Sequence, residues 1–219
     1  MSISPEAVRA GQAVYSSRTL SWYDFLVLGI SARWIWKCSS PLMRGLYDEC
    51  LSERHLEVGV GTGYFLDRCR FPVLQPKVTL VDLNQNCLEA AAQRIARYNP
   101  ETLVRNALEP LNLGDRQFRS AAINYVLHCL PGSMDEKSIV FDHLRAVLEP
   151  GGILFGSTIL SRGVPTGRLA RRLMSVYNRK QIFCNEKDSL AALESALSRR
   201  FERWDVRTVG TVALFKARV

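Results

Sequence analysis

The 219-residue sequence has no apolar run approaching the roughly 20 residues needed to span a bilayer: its most apolar N-terminal stretch, Phe25 to Ile35, is interrupted by Ser31 and Arg33. Signal-peptide grammar is also missing, since Glu6 and Arg9 stand early with no apolar block behind them. A cytoplasmic protein is therefore expected. Histidine is scarce, at three residues, and the six cysteines (Cys38, Cys50, Cys69, Cys87, Cys129, Cys184) never fall at C-x-x-C spacing, so no metal site is expected. In a reducing compartment such thiols behave as small apolar side chains, core or incidental rather than bridged. Internal repeats, low-complexity tracts and obvious linkers are missing too, which leaves one domain as the economical expectation for a chain of this size.

What the chain does carry is positive charge, a formal +8. Nucleic acid, an acidic substrate and a membrane surface are the partner classes such a charge admits. Much of the excess falls after residue 161, in Arg162, Arg168, Arg171, Arg172, Arg179, Lys180, Arg199, Arg200, Arg203 and Arg207. Long basic side chains at helical spacing more often form a solvated face than a phosphate-binding stripe.

Residues 22–51 place apolar side chains at helix-like intervals, broken by Ser39-Ser40-Pro41, and read as two helices ahead of a sheet. From Arg54 the pattern alternates: strand 54–58, a glycine turn, helix 63–70, strand 77–82, helix 84–97 and a short strand near 102–105. It continues with strand 120–124, helix 135–148, the turn Glu149-Pro150-Gly151-Gly152, strand 152–160, a basic helix near 165–178, a helix near 186–199, and strands near 201–208 and 210–217. The fold class this predicts is α/β, a doubly wound and mostly parallel seven-stranded sheet with helices on both faces. The last two strands are separated by little more than Val209-Gly210, so they form an antiparallel C-terminal hairpin at one edge.

The first strand runs straight into Gly59-Val60-Gly61-Thr62-Gly63. A G-x-G-x-G turn lets backbone approach a ligand closely because no Cβ intervenes. A dinucleotide fingerprint would need its third glycine at position 64, where Tyr64 stands. The run Leu56 to Gly63, with Glu57 two positions before the first glycine, resembles the first motif of the class I S-adenosylmethionine-dependent methyltransferases. Asp82, ending the second strand about 25 positions after Glu57, fits the same pattern.

That resemblance covers residues 54 to about 160 and implies S-adenosylmethionine as cofactor. It implies Glu57 toward the methionine ammonium, Gly59, Gly61, Thr62 and Gly63 as the turn beneath the cofactor, and Asp82 toward the ribose hydroxyls. Leu83 would lie against the adenine, and Asn106, beside Ala107, would meet its amino group, although a turn role for Asn106 is an alternative. Asn124 and Tyr125 open the segment that flanks the transferred methyl in this family. Asp82 has its own alternative, a cap for the helix starting at Asn84.

The resemblance further divides the single domain into a helical cap (1–50), a cofactor-binding core (51–160), a lid insertion and helix (161–200) and the terminal hairpin (201–219). The acceptor is expected to be a small metabolite with an oxygen, nitrogen or carbon nucleophile, polyketide-like or aromatic. Tyr15, Trp22, Tyr23, Trp34 and Trp36 would cover the site or form the helix-pair core, with Tyr15 the most lid-like. His128, after the fourth strand, is the best candidate general base; His55 and His143 read as structural. Two other functions stay open: a nucleic-acid-directed methyltransferase, although no N-P-P-Y-like tetrapeptide occurs where Asn124-Tyr125-Val126-Leu127 stands, and a cofactor-binding accessory protein without turnover.

Overall fold

The computed structural model describes residues 33–219, so Tyr15, Trp22, Tyr23 and the first of the two expected N-terminal helices lie outside the described residues. Helix α1 (Ser40–Cys50) starts where Pro41 fits its first turn and buries Met43, Leu46, Tyr47 and Cys50. Then follow β1 (Arg54–Val58), α2 (Tyr64–Arg68), β2 (Lys77–Asp82), α3 (Gln85–Arg94), β3 (Glu101–Val104) and β4 (Phe118–Asn124). The chain continues through α4 (Met134–Lys137), α5 (Ile139–Ala146), β5 (Leu148–Ile159), α6 (Arg168–Arg179), α7 (Leu190–Ser198), β6 (Arg203–Val209) and β7 (Val212–Arg218). Among the described residues no helix is long and apolar enough to cross a membrane.

The seven strands run in the order β3-β2-β1-β4-β5-β7-β6. The first five are parallel, and β7 is antiparallel to both neighbours, as the short Val209-Gly210 connection requires. The hairpin expected from sequence is present, but its second strand inserts between β5 and β6, leaving β6 at the edge. The order reverses between β1 and β4, so the connections leaving the C-terminal ends of these two paired strands run to opposite faces of the sheet and leave a crevice beyond them.

Alternation along β1 sets the chemistry of the two faces. Leu56 and Val58 enter one apolar layer with Val81, Ile123, Phe141 and Leu154. His55 and Glu57 point to the other face, among Tyr47, Phe65, Leu80 and Phe155, where α1 lies. The second half of the expected N-terminal cap, α1, is thus part of the layer that covers the sheet.

Besides shifts at element ends, such as α7 starting at Leu190 rather than near 186 and β4 at Phe118 rather than 120, two elements differ from expectation. The helix predicted over 135–148 is two helices parted at Ser138: Ser133 and Glu136 form a capping box on α4, and Lys137 turns fully inward. Strand β5 begins at Leu148, four residues early, because a register irregularity between Phe118 and Ser120 absorbs the Glu149–Gly152 turn into the ladder. All six cysteines are free; Cys38, Cys50, Cys69 and Cys87 are buried.

Candidate active site

A cavity of about 200 Å³ occupies the crevice at the C-terminal ends of β1, β2 and β4. Glu57, Gly59, Gly61, Thr62, Gly63, Asp82, Leu83, Asn106, Ala107, Asn124 and Tyr125 all line it. Of the residues singled out from sequence, Tyr15 lies outside the described residues and His128 does not line the cavity.

The three glycines share one backbone requirement and divide into two kinds by what surrounds them. All have φ between +51° and +75°, a region costly for side chains other than glycine's hydrogen. A Cβ on Gly59 would lie 2.1 Å from Cγ2 of Val126, and one on Gly63 would lie 3.0 Å from the Ala91 backbone, so these two admit neighbouring chain. At Gly61 no atom of the protein lies within 4 Å of such a Cβ. Its missing side chain keeps the cavity clear. Thr62 is buried and accepts a hydrogen bond from Arg94 of α3.

Two carboxylates flank this turn. Glu57 is 3% exposed, with Oε1 accepting from the Tyr47 hydroxyl at 2.6 Å and Oε2 accepting from Nε2 of His55 at 3.0 Å. Burial, and then the neighbouring Glu57 charge, push the Tyr47 phenol well above its ordinary range, so it stays protonated and donates. Asp82 accepts from the Val60 amide at 3.0 Å and from the Asn84 amide at 2.9 Å. Burial raises its carboxyl, and these backbone hydrogen bonds oppose the rise. Helix α3 is capped by Asn84, whose side chain accepts from the Asn86 amide. Asp82 therefore ties the glycine turn to β2 and is not the helix cap.

Across the cavity, Asn106 makes a turn of its own: its carbonyl accepts from the Leu108 amide and its amide donates to Glu109. His143 reaches back to the Ala107 carbonyl at 3.1 Å, so the third histidine anchors the cavity wall. At the end of β4, Asn124 is buried with both amide atoms lacking hydrogen-bond partners among the described residues. Tyr125 follows with φ +56°, a strained conformation for a bulky residue that turns the chain sharply along the cavity.

His128 sits in a 3-10 turn (Leu127–Cys129), is 3% exposed, and stacks edge-on against Phe183 at 4.5 Å. Its Nδ1 accepts from the Ile159 amide at 3.3 Å. Burial, and secondarily the Lys137 charge, push its imidazole down to about 3. The expectation that it faces the reacting methyl therefore differs from its placement: the turn after Tyr125 rotates it inward and brings Val126, Cys129, Leu130 and Pro131 to the cavity instead.

Residues 56–154 match the family model of a methyltransferase domain. Over 207 residues the chain is 44% identical to demethylluteothin O-methyltransferase of Streptomyces thioluteus, covering 94% of this chain and 90% of that protein. The chain belongs to the class I S-adenosylmethionine-dependent methyltransferases. This methyltransferase is also 35% identical, over 212 residues and 94% of each chain, to the physcion biosynthesis cluster O-methyltransferase of Aspergillus chevalieri. Its fold superposes on the DhpI–SAH complex with a TM-score of 0.66 at 17% identity, over 99% of this chain and 98% of that one.

The methyltransferase cavity fits the family's cofactor on three observations of its own. Open space at Gly61 admits a ligand against the backbone, two carboxylates stand at the ends of adjacent strands, and Asn124 presents unpartnered polar atoms. Tyr47 also lines the cavity and was not singled out from sequence; Arg105 and Cys129–Pro131, which line it too, lie in the segments that the resemblance places beside the adenine and the transferred methyl. Tyr47 carries no local signal, because only the packing of α1 on the sheet brings it there. His55 does carry one: it stands two residues before Glu57 on the same strand face.

Proposed function

We propose that the enzyme methylates a hydroxyl oxygen of a secondary metabolite, polyketide-like or aromatic. The choice of oxygen rests on the O-methyltransferase names of the relatives. When bound, S-adenosylmethionine supplies a methyl group already activated on positive sulfur. The residues are then left to align and to exclude water. In this reading Glu57 receives the methionine ammonium and Asp82 the ribose hydroxyls, while Leu83 and Ala107 sandwich the adenine beside Asn106. Gly59, Gly61, Thr62 and Gly63 form the floor, and Asn124 and Tyr125 border the methyl. His128 acts as a packing residue, and the acceptor side is shaped by the N-terminal segment 1–50, where Tyr15 lies, and by the 161–200 segment.

The single observation that carries the reading is the convergence of Glu57, Asp82 and the open face of Gly61 on one cavity at the reversal of strand order. Incubation with isotopically labelled S-adenosylmethionine and a panel of phenolic and enolic acceptors should give labelled methyl ethers. Label found only in generic RNA or DNA, with a mobility shift surviving physiological salt, would favour a nucleic-acid substrate instead. Cofactor binding with no transfer to any acceptor would point to the accessory role.

A further inference from the structure

Glu57 is held far more tightly than a cofactor contact alone requires. Its two oxygens each accept one hydrogen bond from a fully packed neighbour, Tyr47 from α1 and His55 from the same strand. An ionised carboxylate only accepts, so Tyr47 donates from its hydroxyl and His55 from Nε2. The chain of contacts then continues away from the cavity, toward the start of β1. His55 Nδ1 meets Ser120 Oγ at 2.9 Å, Ser120 Oγ meets Ser52 Oγ at 2.8 Å, and the Ser52 hydroxyl lies 2.9 Å from the Arg54 carbonyl. The Ser52 amide also donates to Ser120 Oγ. The His55 ring stacks on Phe155 at 5.9 Å with the planes inclined by 28°, and Tyr47 packs between Phe65 and Phe155. Neither clamp residue can therefore swing away.

The clamp leaves Glu57 with spare acceptor capacity, since a carboxylate has about four lone-pair sites and two are taken. The residue lines the cavity beside Asn124, whose buried carbonyl oxygen has no partner among the described residues. A free glutamate would have to give up side-chain rotamer freedom on binding a cation. A clamped one has already done so, and its charge stays pointed at the spot where an ammonium is received.

We propose that Tyr47 and His55 are positioning residues that hold Glu57 as the receptor for the cofactor's methionine ammonium, with the Asn124 carbonyl completing the receptor. This rests on reading the cavity as the S-adenosylmethionine site. The recognition of the amino-acid end of the cofactor thus depends on α1, outside the glycine motif itself.

Calorimetry with two probes separates positioning from simple packing. S-adenosylhomocysteine carries the amino-acid end, whereas 5′-methylthioadenosine keeps the adenosine and thioether but lacks that end. Tyr47→Phe and His55→Leu should each weaken S-adenosylhomocysteine by about 10-fold, the scale of a lost hydrogen bond to a charged group, and leave methylthioadenosine within about twofold of wild type. His55→Gln, which keeps a nitrogen donor at similar reach, should recover most of the loss. Equal weakening of both probes, or no weakening of S-adenosylhomocysteine, would overturn the proposal. Wild-type protein that binds neither probe would overturn the cofactor reading on which it rests.

Discussion

A Cβ at position 59 would lie 2.1 Å from Cγ2 of Val126, so the end of β1 and the segment after β4 interlock at Gly59. At Gly61, two residues on, the same added atom meets nothing within 4 Å. Substitution at the two glycines should therefore fail in different ways. Gly59→Ala should lower the thermal midpoint strongly, because clash adds to the backbone cost. Gly61→Val should cost stability only about the 1–2 kcal/mol of a left-handed residue, yet abolish cofactor binding. Thermal denaturation beside calorimetry checks the split, and a Gly61→Val protein that binds normally would contradict it.

Asp82→Asn should leave α3 capped by the Asn84 side chain but loosen the glycine turn, because its NH2 would face one of the two backbone amides that the carboxylate accepts from. It should weaken S-adenosylhomocysteine by roughly 1.5–3 kcal/mol, the range for losing a hydrogen bond to a charged acceptor. Unchanged affinity with a lower melting temperature would restrict Asp82 to tying the glycine turn.

The buried His128 imidazole makes acid stability a readout. Its folded value of about 3 lies below the ordinary 6.5, so the unfolded chain takes up a proton that the folded chain refuses. Its contribution is complete above pH 6.5 and is lost as the pH falls from 6.5 toward 3, by up to about 1.4 kcal/mol per pH unit. His128→Asn does not titrate and should lose this slope in denaturant titrations. Its turnover between pH 6 and 9 should stay within a few-fold of wild type. A drop of about 10²-fold or more, with loss of a limb near neutrality, would restore His128 as a base.

Lys137 donates to Asp188 at 2.9 Å and to the Cys184 carbonyl at 2.8 Å, with both ionic side chains fully buried. The pair joins α4 to the loop before α7. Lys137→Met should cost about 3–5 kcal/mol by stranding the Asp188 charge, and Lys137→Met with Asp188→Leu should recover most of it. Urea titrations of the three proteins decide whether the second substitution compensates.

Residues close in sequence were the legible part of this protein. The glycine turn, Glu57 and Asp82 belong to one β-α-β unit, so their spacing alone carried the cavity floor. Tyr47 was illegible because it reaches Glu57 only through the packing of α1, and α1 itself was expected to be part of a lid. The inward turn of His128 follows from the left-handed Tyr125 and the Phe183 contact, neither of which periodicity encodes. A hairpin could be read at the C-terminus, but not which of its strands pairs with β5, since that choice is made across the sheet. The start of α4 has a readable sign in Ser133-x-x-Glu136, whereas the break at Ser138 has no side-chain cap to mark it.

The most direct test of the central claim is calorimetric titration of the wild-type protein with S-adenosylhomocysteine and with NAD. Glu57 beside the turn and Tyr64 in place of a third dinucleotide glycine predict micromolar binding of S-adenosylhomocysteine and none of NAD. NAD binding without S-adenosylhomocysteine binding would contradict the account.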